Sequence, residues 1–388
     1  MSGPARRVRL DRTGLLFVLL FCNTFGLGAF GPLLPEIGRS QSLPDWQLGL
    51  VASAFGFARM AAAMPTGLLV ARRLAATLVA APMVLVVGVA LLVSAGPLPV
   101  LLAGRFLLGI SHTMTMVGGL TAILLEDRGP GASVRLNIFE FAGMLGILGG
   151  LGLVALTPSA WGWKVSLALA STPALIPLLL LPALGRAFPK APGRERAAPA
   201  AAGMLERRED GGVVALMFGA GIVFALAWSS VSGFVLPIRG TREFGLSRAG
   251  ISWLLAMAQG IDLAILIPVG RLADRVGRGL ILGAVSIVLG LGALGVGLGS
   301  FPVFAIGCAC LGLGLAGWML PLGVIREHTT VGRLAWRTGL YRVGVDSASF
   351  VGPLVAGILG PQGEGIFLGL IGAAALALGV RCIVRQVQ

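Results

Sequence analysis

Seven ionisable residues interrupt apolar stretches of this chain: Arg59, Arg105, His112, Glu140, Asp262, Arg342 and Asp346. Ionisable groups in such surroundings are costly to keep, so each is a candidate for chemistry rather than for solubility. Asp262 has Gln259 one helical turn away and no obvious private cation. A carboxylate desolvated in this way can bind and release a proton. Asp262 is therefore the leading proton-coupling candidate, and Glu140 the second. Glu140 and Arg342 have a plainer alternative as anchors of helix ends near an interface. His112, alone on its helix, has one as a packed, hydrogen-bonded residue. Enzyme chemistry finds no such cluster: the chain has no His/Glu metal motif, no Ser-His-Asp set and no P-loop. The four cysteines (Cys22, Cys308, Cys310, Cys382) lie in or beside apolar segments without metal-site partners, so neither zinc nor a disulfide framework is indicated. No metal and no cofactor is expected.

The elements that carry these residues are long and apolar. Hydrophobic residues make up 56% of the 388 and charged residues 12%, about half the charge of an average soluble domain. The apolar residues come in runs of about 20, the length a helix needs to cross a bilayer core. Twelve spans follow, at about 13–35, 46–70, 75–95, 99–125, 135–157, 161–185, 212–236, 249–272, 279–299, 302–325, 338–360 and 365–384. The run after MSGPARRVRLDR is too long for a signal peptide and is read as the first span. The 60 glycines and 22 prolines fall within the runs, where small residues let helices approach closely.

The net charge of +14 does not point to nucleic acid, because its arginines sit in short loops between spans. Of the 30 Lys and Arg residues, 22 fall at the two termini, the central stretch and the loops on that same side. The opposite loops hold Arg39, Lys164, Arg239, Arg242 and Arg248. This bias places both termini in the cytoplasm of a multi-pass inner (plasma) membrane protein. The stretch 186–211, rich in Pro, Ala and mixed charge, reads as a flexible cytoplasmic linker. The 28 arginines against two lysines point to a GC-rich genome, and the short loops to a bacterium.

The chain also repeats itself. PTGLLVARRLA at 65–75 echoes PVGRLADRVGR at 268–278, an offset of 203 residues. Gly31 and Pro35 match Gly233 and Pro237, Gly104 and Gly109 match Gly307 and Gly312, and Arg135 matches Arg337, all at offsets of 202 or 203. Arg59 aligns with Asp262, and Glu140 with Arg342, so opposite charges occupy corresponding positions. The expected fold is all-α, with twelve membrane helices in two pseudo-symmetric six-helix halves, 1–185 and 212–388. That arrangement supports a midplane site between the halves and alternating access by rocking.

These motifs carry a resemblance. Gly270-Arg271-Leu272-Ala273-Asp274-Arg275-Val276-Gly277-Arg278 matches the loop signature GxLADRxGR of the major facilitator superfamily, and the chain resembles that superfamily over essentially its whole length. Arg105 to Gly109 resembles its RxxxG signature. The glycines of 143–150 partly resemble the signature of exporter branches, with Ile147 where that signature has proline. The resemblance implies a functional monomer that moves a small molecule, with protons and the bilayer as its other partners. It implies proton coupling for Arg105, for which snorkelling to the interface is the alternative.

In this superfamily helix 2 packs beside helix 11, which implies Arg59 near Asp346, either as an ion pair or with Asp346 as a further proton-coupling candidate. In the same superfamily helix 5 packs beside helix 8, which implies Glu140 on the same side as Asp262. In the family the loop carboxylate holds the halves together on the cytoplasmic side. Here Asp274, with Gly270, Arg275 and Arg278, would reach the start of helix 5 near Arg135, where unpaired N–H groups and the helix dipole favour an anion. Ala71 cannot make the equivalent contact near Arg337. The loss of that charged pin would favour the inward-open state, or else another loop residue compensates for it and the change is drift.

Helices 1, 4, 7 and 10 line the cavity in this superfamily. Asn23, His112, Trp228, Ser229 and Trp318 are then substrate-binding candidates, joined by Gln259 and by Arg59 as a reader of anions. The neighbouring Phe25, Phe30, Met114, Met116 and Met319 suit an amphipathic solute. The expected function is secondary transport, with proton-coupled export of such a solute first and import or uniport of a small organic anion second.

Overall fold

The computed structural model describes residues 12–126, 132–188 and 210–387. Most of the expected linker, residues 189–209, lies outside the described residues. The described chain opens with α1 (Arg12–Gln41), α2 (Asp45–Ser94), α3 (Leu98–Glu126) and α4 (Ala132–Leu156). Three short helices follow: α5 (Gly162–Ala170), α6 (Leu175–Leu179) and α7 (Leu181–Ala187). Beyond the linker come α8 (Gly211–Ser230), a π-helical turn at Val231–Val235, α9 (Leu236–Arg242), α10 (Arg248–Val276) and α11 (Arg278–Leu298). The chain ends with α12 (Phe301–Leu315), α13 (Leu320–Glu327) and α14 (Val331–Val387).

Ten helical stretches among the described residues are long and apolar enough to cross a membrane. The two longest, of 50 residues each, hold a break. The 50 residues of α2 bend at Arg73 (φ −147°, ψ 56°), and the 57 of α14 bend at Gly360 (φ 61°, ψ −165°). A straight helix of 50 residues would run about 75 Å, against an apolar bilayer core of about 30 Å. At Gly360 only the absence of a side chain makes the left-handed backbone easy.

Local chemistry sets the other ends. Asp210 caps α8, accepting from the N–H groups of Gly212 (2.9 Å) and Val213 (3.1 Å). The Val213 bond holds its carboxyl below the usual range, so this contribution is lost as pH falls through the lowered value. Ser247 caps α10 through the Gly250 N–H.

Two expected spans are not single helices. The stretch 161–185 is divided among α5, a 3₁₀ turn at Thr172–Ala174, α6 and α7. Pro173, Pro177 and Pro182 each lack the N–H that would continue a helix ladder. The stretch 302–325 is interrupted at 316–319, between α12 and α13. There Pro321 cannot bond back to the carbonyl of Gly317. The π-turn at Val231–Val235 has the same origin, since Pro237 cannot bond to Gly233.

Helix α1 packs on α4, α2 on α3, and α11 on α12 and α14. The two parts of the chain meet where α2 lies along α14 and where α4 lies along α10. The glycines of 143–150 explain the first of these packings. A Cβ at Gly146 or Gly150 would run into the carbonyls of Phe21 or Phe25 on α1. Where α2 meets α14 the same rule holds: a Cβ on Gly357 would run into Asp45 and Gly49, and one on Gly49 into Pro353 and Gly357.

Polar contacts between the two parts gather at this end of the bundle. Arg242 donates to both carboxylate oxygens of Asp45, at 2.7 and 2.5 Å. Arg248, 5% exposed, lies 2.9 Å from Glu36 and also bonds to Ser166 Oγ and to the Ser159 carbonyl. The deepest such contacts are Arg59–Asp346 and Ser347 to the Met60 sulfur. Substitution Gly357→Val is expected to pry this end apart. Distances between spin labels on the turns at 42–44 and 245–247 should then lengthen, and unchanged distances would show that the glycine contact does not set the approach.

Candidate functional site

A cavity of about 260 Å³ lies where the two parts meet. The first part contributes Phe30, Phe55, Arg59, Arg105, His112 and Ile147; the second contributes Trp228, Ser229, Ser232, Leu255, Gln259 and Pro353. The π-turn brings Ser232 and Gly233 to its wall. No carboxylate lines it.

The expected charges are arranged as follows. Asp346 is 2% exposed and lies 2.5 Å from Arg59 and 3.6 Å from Arg342. The Arg59 contact is a charge contact; its alignment is not that of a hydrogen bond. Arg59 therefore reaches the cavity with its counter-ion already in place. Asp262 is buried, accepts from Gln259 Nε2 at 2.9 Å through Oδ2, and leaves Oδ1 without a partner. It forms no ion pair among the described residues. Gln259 faces the cavity, so the carboxyl sits one side chain behind the wall. Glu140 is half-buried on α4, and no ion pair or hydrogen bond joins it to Asp262 among the described residues.

Arg105 does not snorkel. It is 5% exposed, and its Nη2 donates to the Ala52 carbonyl at 3.2 Å. The Phe30 ring lies 3.8 Å from its Cζ and the Phe55 ring 5.2 Å. The two rings hold the guanidinium inside, where the apolar stem alone would have let the head reach the surface.

His112 shares a hydrogen bond of 3.2 Å with Asn23 Oδ1, and Asn23 Nδ2 donates to Ser111 Oγ at 2.8 Å. Asn23 is buried behind His112 and orients it rather than lining the cavity. Trp228 and Ser229 do line it. Trp318 does not: it sits in the break between α12 and α13 and packs against the core.

The loop signature is turned inward on its own part of the chain. Gly277 (φ 115°) ends α10 and starts α11 within one residue. Arg278 therefore stands one turn from Asp274 and pairs with it at 3.0 Å, while also reaching Glu327 at 2.9 Å. Among the described residues, no ion pair or hydrogen bond joins Asp274 to Arg135 at the start of α4. Arg275 and the Asp274 side chain are exposed, and Gly270 has open space around it.

Sequence reasoning missed the ion pairs Asp45–Arg242 and Glu36–Arg248. The signal was available: the basic residues of these loops are accompanied by the acids Glu36, Asp45, Glu243 and Glu364. It also missed the aromatic pair around Arg105, which only the packing of α1 and α2 on α3 brings together.

Residues 217–387 match the family model of the Major Facilitator Superfamily. No curated protein matches the chain. Solved structures do. A POT family transporter in complex with 5-aminolevulinic acid aligns with a TM-score of 0.79 at 13% identity, over 96% of this chain and 95% of that one. A peptide transporter POT variant aligns with a TM-score of 0.78 at 14% identity, over 96% and 93%. The nucleoside transporter NupG, as a variant, aligns with a TM-score of 0.75 at 12% identity, over 96% and 99%. The fold is the fold of these transporters.

Removing one partner of a buried ion pair strands the other charge. Asp346→Asn is expected to cost about 3–5 kcal/mol, read as lost resistance to unfolding in detergent. The double substitution Arg59→Met with Asp346→Leu should recover most of it. Equal losses in the single and double variants would show that the pair does not hold α2 to α14.

Proposed function

We propose that this chain is a secondary transporter of the major facilitator superfamily, which moves a small amphipathic organic solute by alternating access. The observation that carries this reading is the shared cavity, sealed at one end by ion pairs between the two parts of the chain. A site built equally by two bodies can be exposed to either side as they rock. The breaks at Arg73 and Gly360 support twelve crossings, in halves 1–185 and 212–388 joined by the linker 186–211.

The distribution of arginines supports cytoplasmic termini; on that reading the sealed end faces outward and the state is inward-facing. The unlatched Asp274 and the uncharged Ala71 agree with that state. Asp262 is the proton carrier of this scheme: it has a free oxygen, no cation and a link through Gln259 to the cavity. The partial resemblance of 143–150 to exporter signatures, with Ile147 in place of proline, supports export as the direction. A second reading, import or uniport of a small organic anion, is favoured by a cavity wall with two arginines and no carboxylate.

Purified protein in liposomes with an internal pH dye tests both readings. Proton flux that depends on added solute is expected, and its sign distinguishes antiport from symport. Silence across lipophilic cations, neutral amphiphiles and small carboxylates would overturn the coupled reading. Asp262→Asn should abolish accumulation driven by a pH gradient while leaving solute exchange intact; full pH-driven transport in that variant would remove Asp262 from the mechanism. Ala71→Asp should raise the outward-open population in a label-distance measurement, and no shift would sink the latch argument.

A further inference from the structure

Arg105 is the one cation of the cavity wall left without a counter-ion among the described residues. Arg59 has Asp346. Arg105 has a single hydrogen bond, to a carbonyl, while its Nε and Nη1 have no partner. A buried charge in this condition is costly unless something that binds completes it. Its surroundings specify what would. A guanidinium is a planar fork that matches a carboxylate with two parallel bonds. Phe30 and Phe55 pack against it and also line the cavity, to which the second part contributes Trp228. Flat apolar walls of this kind stack on a flat apolar body. The cavity, at about 260 Å³, lies below the roughly 300–1,000 Å³ of sites for drug-sized ligands.

We propose that Arg105 is the anion-recognising residue of this cavity, and that the transported solute is a small monocarboxylate with a flat, apolar body. This rests on the transport reading above and names its substrate class. It also moves anion recognition from Arg59, whose charge Asp346 already answers, to Arg105.

Benzoate is the probe, with benzamide and benzylamine as neutral and cationic counterparts of equal size. Thermal unfolding of the purified full chain reads binding, and liposome flux reads transport separately. Benzoate is expected to raise the melting temperature, benzamide and benzylamine far less. Arg105→Gln should weaken benzoate binding about 10–100-fold, the worth of a lost charge-assisted hydrogen bond. Arg342→Gln, which removes a nearby cation that does not line the cavity, should leave it largely in place. Without ligand, Arg105→Met should melt no lower than the wild type, because it deletes an uncompensated charge.

Stabilisation by benzamide or benzylamine equal to that by benzoate would overturn the proposal. So would no stabilisation by any of the three, benzoate binding unchanged in Arg105→Gln, or its loss in Arg342→Gln. A markedly lower melting temperature for Arg105→Met would mark the guanidinium as structural and overturn it too. Flux of benzylamine without benzoate binding would overturn this inference and keep the transport reading. Benzoate binding without flux of any compound would keep Arg105 as the anion-binding residue and overturn both the transport reading and the naming of a transported solute.

Discussion

Arg59 and Asp346 meet between α2 and α14 at 2.5 Å, with Arg342 close behind. Much of the site follows from that contact. Neither charge is tolerable alone among apolar helices, so the two helices must stay together at this depth. Glycines allow the backbones to come close above the pair, at Gly49, Gly56 and Gly357. The ion pairs Asp45–Arg242 and Glu36–Arg248 then close the same end. The cavity is the space left beneath this seal.

Different charges in one bundle are answered in different ways, and the differences assign roles. Arg59 is answered by a carboxylate, and becomes part of the joint between the two parts. Asp262 is answered by an amide, Gln259, which leaves one oxygen open and no fixed cation to hold the carboxyl ionised. Arg105 is answered by a carbonyl and two aromatic faces, which attract a cation but do not neutralise it. A cation held by rings and facing a binding space has an incomplete environment. The same logic separates His112, whose ring is oriented by Asn23 and Ser111, from a free proton relay.

The prolines and glycines shape the wall as much as the charges do. Pro237 and Pro321 each remove one rung of a helix ladder, and the chain responds with the π-turn at Val231–Val235 and the break at 316–319. The first brings Ser232 to the cavity. At the second, Trp318 packs against the core and does not line the cavity. Neighbouring polar or aromatic residues at similar depth thus end in different environments, because the helix between them is not continuous.

What the sequence determined by itself was the class of fold and the stock of chemical groups. Length and apolarity of the runs decide that helices cross a membrane, because a backbone in lipid must satisfy its hydrogen bonds within the segment. The repeat at offsets of 202 and 203, and the charges it aligns, were equally legible. So was Asp262 as a carboxyl without a private cation. The interaction partners were not. Whether Asp274 reaches across the halves or folds back on Arg278 depends on the turn at Gly277 and on which state the two parts occupy. Whether Arg105 snorkels or is held between Phe30 and Phe55 depends on three helices separated by up to 75 residues in the chain. A charge's cost depends on what surrounds it within a few ångströms, and that neighbourhood exists only once the helices have packed.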